Sequence, residues 1–201
     1  MSKRQRNNFP SLRLVLLGKQ GVGKSALMVR FLTRRFIGEY DATESTHSRH
    51  IIIGNSTLVV EIKDTAGGNP ISKRDEEISS SDAFIFVYSV TSNESFREVT
   101  KLIETVKNSS ALSIVIGNKK DLHHLREVGL DEGRNFAEKY GCLFYEISVA
   151  EGYHETFRVF NELLRHIIMK KASDEGLSGK KKGNSSFSSI LKGIDKAKQA
   201  R

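Results

Sequence analysis

The 201-residue chain reads as an α/β fold, a sheet with helices on both faces. Three observations predict it. Strand-like and helix-like segments alternate along the chain. The run Ala83-Phe84-Ile85-Phe86-Val87-Tyr88 is apolar throughout, as a strand covered on both faces must be. A strand, a glycine-rich loop and a helix follow one another between Leu12 and Leu32.

That first unit begins with the apolar strand Leu12 to Leu17 and continues as the helical run Ala26 to Leu32. Between them, Gly18-Lys19-Gln20-Gly21-Val22-Gly23-Lys24-Ser25 fits the phosphate-binding template of Gly, four free positions, then Gly-Lys-Ser. The glycines let main-chain N–H groups curl around an anion, Lys24 supplies a cation to the phosphates, and the Ser25 hydroxyl can ligate Mg²⁺. The helix N-terminus adds its own partial positive charge at Ala26.

Phe36 to Arg49 is polar and irregular; His50 to Ile53, the turn Gly54-Asn55-Ser56 and Thr57 to Lys63 form a hairpin. Its second strand delivers Asp64-Thr65-Ala66-Gly67-Gly68 at a C-terminal end, where α/β sheets bind ligands. After the polar stretch Asn69 to Asp82 comes the strand Ala83 to Tyr88. Thr91 to Ser95 then offers caps for a helix reaching about Lys107. Leu112 to Ile116 is a strand ending in Gly117-Asn118-Lys119-Lys120-Asp121. The helix Asp131 to Tyr140 stops at Gly141. The last strand, Leu143 to Ile147, leads into Ser148-Val149-Ala150, and a final domain helix spans Tyr153 to Lys170 with Phe157, Phe160, Leu164, Ile167 and Ile168 on one face.

These segments define a basic extension (1–11), a folded domain (12–171) and a basic tail (172–201). Lys3, Arg4 and Arg6 make the start positive, and from Lys170 onward nine Lys and Arg face only Asp174, Glu175 and Asp195. The net charge of +8 therefore belongs to the ends. Such a tail attracts anionic lipid, nucleic acid or acidic protein without distinguishing them. Asp174 to Ser186 has the composition of a disordered linker. Beyond it Phe187, Ile190, Leu191 and Ile194 recur at helical spacing beside Lys192, Lys196 and Lys198, a short amphipathic helix suited to a membrane surface or a partner.

The single cysteine, Cys142, allows no intrachain disulfide and reads as a buried small hydrophobe in a reducing compartment. The charged start lacks the apolar core of a secretory signal, and no run approaches membrane-spanning length. Ala197 to Arg201 contains no Cys, so no prenyl anchor is expected.

A phosphate loop alone is compatible with ATPases, kinases and GTPases. Asn118-Lys119-Lys120-Asp121 narrows the choice. The Asp121 carboxylate can accept both the N1–H and the exocyclic amine of guanine, a donor pair adenine does not present on that edge; unmatched buried groups make such discrimination strong. Asn118 would brace the loops, and the Lys119 stem can cover the base.

With the phosphate loop, Asp64-Thr65-Ala66-Gly67 and Asn118 to Asp121 in this order, Leu12 to Lys170 resembles the Ras superfamily of small GTPases. Phe31 to Tyr40, the basic tail and the missing prenylation signal are most similar to the branch of the Ras-related estrogen-regulated growth inhibitors and their Ras-like relatives. The resemblance implies a P-loop NTPase G domain: a mostly parallel six-stranded sheet with one antiparallel edge strand, and five helices. It implies a monomeric signalling switch that binds GTP or GDP with Mg²⁺.

It assigns Gly18 to Ala26, Phe36, Thr43, Asp64, Gly67, Asn118, Lys119, Asp121 and Ser148 to Ala150 to the nucleotide, with Ser25, Thr43 and Asp64 at the metal. Phe36 would stack near the guanine, and Ser148 and the Val149 N–H would complete base recognition. Lys24, Thr43 and Gly67 would carry the hydrolytic step. Thr43 and Gly67 would tie two segments to the γ-phosphate, so that hydrolysis releases both. Effectors and regulators would bind Phe36 to Arg49 and Asn69 to Asp82. No specific nucleic acid is expected. The location would be cytoplasmic, with the tail compatible with weak anionic-membrane contact or nuclear entry.

The chain departs from the family pattern at four residues and in length, the stretch Thr43 to Asp64 being one residue shorter than in Ras. Gly68 stands where active members have a water-positioning Gln, so hydrolysis is expected to be slow. Gln20 replaces a Gly in the phosphate loop and would crowd an activating protein's arginine. Ala150 replaces a Lys that helps cover the base, and Ala42 replaces the Pro before Thr43. A nucleotide-loaded binding module with negligible turnover is the alternative that Gly68 raises.

Overall fold

The computed structural model describes residues 9–37, 45–53, 56–65, 75–177 and 186–199. The strands are β1 (Ser11–Leu17), β2 (Ser45–Ile53), β3 (Ser56–Asp64), β4 (Ala83–Ser89), β5 (Leu112–Asn118) and β6 (Leu143–Glu146). The α-helices are α1 (Lys24–Thr33), α2 (Asp75–Ser80), α3 (Asn93–Val106), α4 (Leu130–Lys139), α5 (Tyr153–Leu177) and α6 (Phe187–Gln199), with a 3-10 helix at Lys120–Leu125. The sheet order is β2-β3-β1-β4-β5-β6; β2 runs antiparallel to β3 at the edge and the other neighbours are parallel.

Strand periodicity divides the core. Every residue of β4 is buried, and alternation sends Ala83, Ile85 and Val87 to one face and Phe84, Phe86 and Tyr88 to the other. The first face joins Leu27, Met28 and Phe31 of α1 to Phe160, Leu163 and Ile167 of α5; the second takes Phe96, Val99 and Ile103 of α3 and Ala137 of α4. Phe31 and Phe160 stack with ring centroids 4.0 Å apart. α3 begins where expected: the Ser92 hydroxyl caps it by accepting from the Ser95 N–H at 3.2 Å.

Two polar stretches expected as loops carry secondary structure. Ser45–Arg49 belongs to β2, pairing with Val60–Asp64, because an edge strand needs only one partner and can leave Thr46, His47 and Ser48 exposed. Arg49 also reaches the Phe31 carbonyl at 2.5 Å. Asp75–Ser80 forms the short helix α2.

The last domain helix also differs from expectation. It runs to Leu177 rather than Lys170, and Phe157 is 38% exposed, with its ring beside that of Tyr153. Its core face is built from Val159, Phe160, Leu163, Leu164, Ile167 and Ile168. α6, the amphipathic tail helix expected beside the five of the domain, turns its apolar face inward. Ile190 is fully buried, with Phe187, Leu191 and Ile194 packed on the same core and Gly193 close over Ile53. The Glu175 carboxylate holds its first turn by accepting from the N–H groups of Phe187 (3.2 Å) and Ser188 (3.1 Å). A helix this short is marginal alone; docking supplies what propensity does not.

Tyr88 lies between Gly117 and Gly133, edge-on to Phe96 with centroids 4.9 Å apart, its hydroxyl buried without a hydrogen-bond partner. Burial pushes its phenol well above the ordinary range. Because an unpaired buried hydroxyl costs more than it returns, Tyr88→Phe is expected to stabilise the fold by about 1 kcal/mol. Calorimetry should show a melting temperature about 2–4 °C higher; a lower one would mean the hydroxyl is satisfied in solution.

Candidate nucleotide-binding site

The C-terminal ends of β1, β3, β5 and β6 meet above the sheet, and among the described residues Gly18 to Ala26, Asp64, Asn118 to Asp121 and Ser148 to Ala150 lie at or beside them. Gly18 leaves β1 with φ 143°, a region L-residues rarely adopt, and a Cβ at this position would collide with the backbone carbonyl of Val87 in β4. Gly23 enters α1 at φ 99°, with its Cα pressed on the Asn118 side-chain amide. Between them Lys19 pairs with Glu94, Gln20 and Gly21 are exposed, Val22 is buried, and Ala26 is buried in the first turn of α1.

Lys24 is 5% exposed and donates from Nζ to the carbonyls of Gly18 and Lys19, both at 3.0 Å. Its ammonium bridges the two sides of the loop. Burial lowers its pKa, and the nearby Asp64 carboxylate opposes that shift. Asp64, at the end of β3, has its pKa raised by burial against a hydrogen bond from Ser25 and the charges of Lys24 and His47. The Ser25 hydroxyl donates to Asp64 Oδ2, while Oδ1 is buried without a partner. A hydroxyl and a carboxylate with an unsatisfied oxygen form the hard donor set that Mg²⁺ takes. Next to them Thr65 anchors β3 to β1 by donating to the Leu16 carbonyl at 2.7 Å.

Asn118 ends β5 and joins three segments. Its Nδ2 donates to the Val22 carbonyl at 2.8 Å, and its Oδ1 accepts from the Val149 N–H at 3.1 Å. The Val149 amide, expected to face a base, is thus committed to Asn118. Lys119 adopts φ 65°, an uncommon left-handed conformation for a side chain of this type, and starts the 3-10 helix that carries Asp121. Asp121 Oδ1 is buried without a partner, an acceptor fitted to a donor on a ligand. Ser148 is fully buried, its hydroxyl accepting from the Glu151 N–H at 3.2 Å. Phe36 is 43% exposed under the Arg30 guanidinium, 5.3 Å from its ring centroid.

Two positioning contacts went unread in the sequence. Glu155 of α5 pairs with Lys120 and accepts from the Ser148 N–H at 3.4 Å. Arg30 donates to the carbonyls of Val149 and Ala150. Their only signal was charge on a helix, which most surface helices share. Thr43, Ala66, Gly67 and Gly68, with residues 38–44 and 69–74 of the two effector-facing stretches, lie outside the described residues.

A glycine loop between β1 and α1, a buried lysine inside it and an acidic strand end beside it are the architecture of a P-loop nucleotide-binding protein. Residues 13–169 match the model of the Ras family, and the chain belongs to that family of small GTPases. It is 37% identical over 190 residues to the Ras-related and estrogen-regulated growth inhibitor of Homo sapiens, covering 92% of this chain and 94% of that one. It is 36% identical over 170 residues to Ras-like protein family member 11A of Mus musculus (78% and 70% covered), and 34% identical over 170 to Ras-like protein rasU of Dictyostelium discoideum (82% and 79%). No helix among the described residues is long and apolar enough to cross a membrane.

Proposed function

We propose that this protein is a guanine-nucleotide switch with an intrinsically slow hydrolytic step. The observation that carries the guanine reading is Asp121, whose buried carboxylate oxygen lacks a partner beside a strained Lys119. Gly18 to Ala26 would cradle the phosphates, with Lys24 exchanging its loop carbonyls for phosphate oxygens. Ser25, Thr43 and Asp64 would hold Mg²⁺, which supplies charge neutralisation on the phosphates when bound. Lys119 and Phe36 would flank the base, while Val149 acts through Asn118, and Ser148 and Ala150 shape the loop around it.

Slow hydrolysis follows from position 68. Phosphoryl transfer relies on placing the attacking water and stabilising charge, and a glycine has no side chain for the first task. Lys24, Thr43 and Gly67 retain the second. Gln20 at the loop's exposed corner adds bulk where an activating protein's arginine would enter. Gly68 also favours a second reading, a nucleotide-loaded binding module controlled by exchange or abundance. Effectors and regulators would engage Phe36 to Arg49 and Asn69 to Asp82, and the basic tail would bring the protein weakly to anionic membranes from the cytoplasm.

Protein denatured directly after purification is expected to release GDP or GTP; release of neither, with no thermal protection by either plus Mg²⁺, overturns the reading. In single-turnover assays on GTP-loaded protein, Gly68→Gln should accelerate hydrolysis by about tenfold or more. An unchanged rate would place the limitation at Gln20 or elsewhere.

A further inference from the structure

Arg30 sits in the last turn of α1, nearly two helical turns from the phosphate-binding end of its own helix yet in contact with the base end of the site. Nε donates to the Val149 carbonyl at 3.0 Å and Nη2 to the Ala150 carbonyl at 2.8 Å. Nη1 lies 3.5 Å from the Arg34 carbonyl, and the guanidinium plane covers Phe36. A planar fork of fixed donors can hold two successive carbonyls and an aromatic face at once, which an ammonium cannot. Arg34 repeats the theme: it caps α1 at φ 65° and lays its guanidinium over the Tyr153 ring at the start of α5, 5.3 Å away.

The segment after β6 is consequently held from both sides. The Val149 N–H is fixed by Asn118 and its C=O by Arg30. In this chain the residue at 150 is Ala, which has no side chain long enough to reach across a base, so the position of this segment depends on contacts to its main chain.

We infer that Arg30 is a positioning residue for base retention: by gripping the Val149 and Ala150 carbonyls and Phe36 together, it holds the guanine-facing loop closed and sets the rate at which nucleotide leaves. This rests on the guanine-nucleotide reading above. The Arg30 side chain makes no hydrogen bond to the phosphate loop or Asp64, and its path to Val22 runs only through Val149 and Asn118, so its removal acts first on the base end. Loss of two charge-assisted hydrogen bonds within the segment should loosen it without disturbing the phosphates.

The test follows dissociation of fluorescent mant-GDP from the full chain into excess unlabelled GDP, with and without EDTA. Arg30→Ala is expected to release nucleotide about 10- to 100-fold faster. The factor by which EDTA accelerates release should remain that of the wild type, because the metal end is untouched. Hydrogen–deuterium exchange should rise at residues 148–151. Arg30→Lys, which keeps the charge but holds one carbonyl at a time, should fall between the two; if Arg30→Ala does not fold, this variant alone must still dissociate faster.

Dissociation at the wild-type rate in both variants overturns the inference. So does a loss of the EDTA factor in parallel with a drop in melting temperature, which would mean that Arg30 only supports α1. A wild-type chain that holds no mant-GDP would instead overturn the guanine-nucleotide reading beneath it.

Discussion

Asp121→Asn is expected to shift the base preference from guanine toward xanthine by about 10³-fold or more, read by competition of GTP and XTP against a fluorescent nucleotide. The carboxylate is an acceptor at both oxygens, and Oδ1 is buried with no partner of its own. Turning one acceptor into a donor opposes the guanine amine and matches the carbonyl that xanthine carries in its place. Asp121 lies in the first turn of a short 3-10 helix, and Asn is nearly isosteric there, so the fold should be retained. Unchanged preference would remove Asp121 from base recognition and with it the strongest argument for guanine over adenine.

The second large effect belongs to Gly18→Ala, expected to destabilise the domain by more than about 4 kcal/mol. Two costs coincide. The backbone sits at φ 143°, and the new Cβ would strike the Val87 carbonyl, a main-chain atom in the most buried strand, which cannot swing aside. Gly21→Ala is the control: its φ of 80° is also strained, but a Cβ there meets nothing within 4 Å, so a cost of about 1 kcal/mol is expected. Urea unfolding should rank them in that order. A Gly18→Ala protein with a near-native midpoint would mean that the loop leaves β4 on another path.

How much of this could be read beforehand depended on how far each signal travels along the chain. β4 was legible because six apolar residues in a row, Ala83 to Tyr88, have few other homes. The phosphate loop and Asn118 to Asp121 were legible because backbone geometry and ligand chemistry demand particular residue types. Ser45–Arg49 was not, since an edge strand bonded on one side tolerates Thr, His and Ser facing water. Asp75–Ser80 is too short for a period to emerge. In α5 the apolar positions admitted more than one stripe, and packing chose Val159 and Leu163 over Phe157.

The site showed the same limit. Charged side chains that bind ligand announce themselves in a motif, whereas Arg30 acts on main-chain carbonyls 119 and 120 residues away, and any residue has a carbonyl. The pattern Phe187, Ile190, Leu191, Ile194 said that a helix face exists and pointed to a membrane surface or a partner; the structure packs that face on the chain's own core instead.

That answer bears on how the protein must be handled. A version trimmed at Leu177, the natural place to cut when only the catalytic unit is wanted, would strip Ile190 from its seat and leave the hairpin end around Ile53 wet. Poor yield or clumping of such a fragment would reflect that bared patch and carry no information about nucleotide. Affinity handles and fluorescent fusions are better placed at the other terminus, with the chain kept through Gln199.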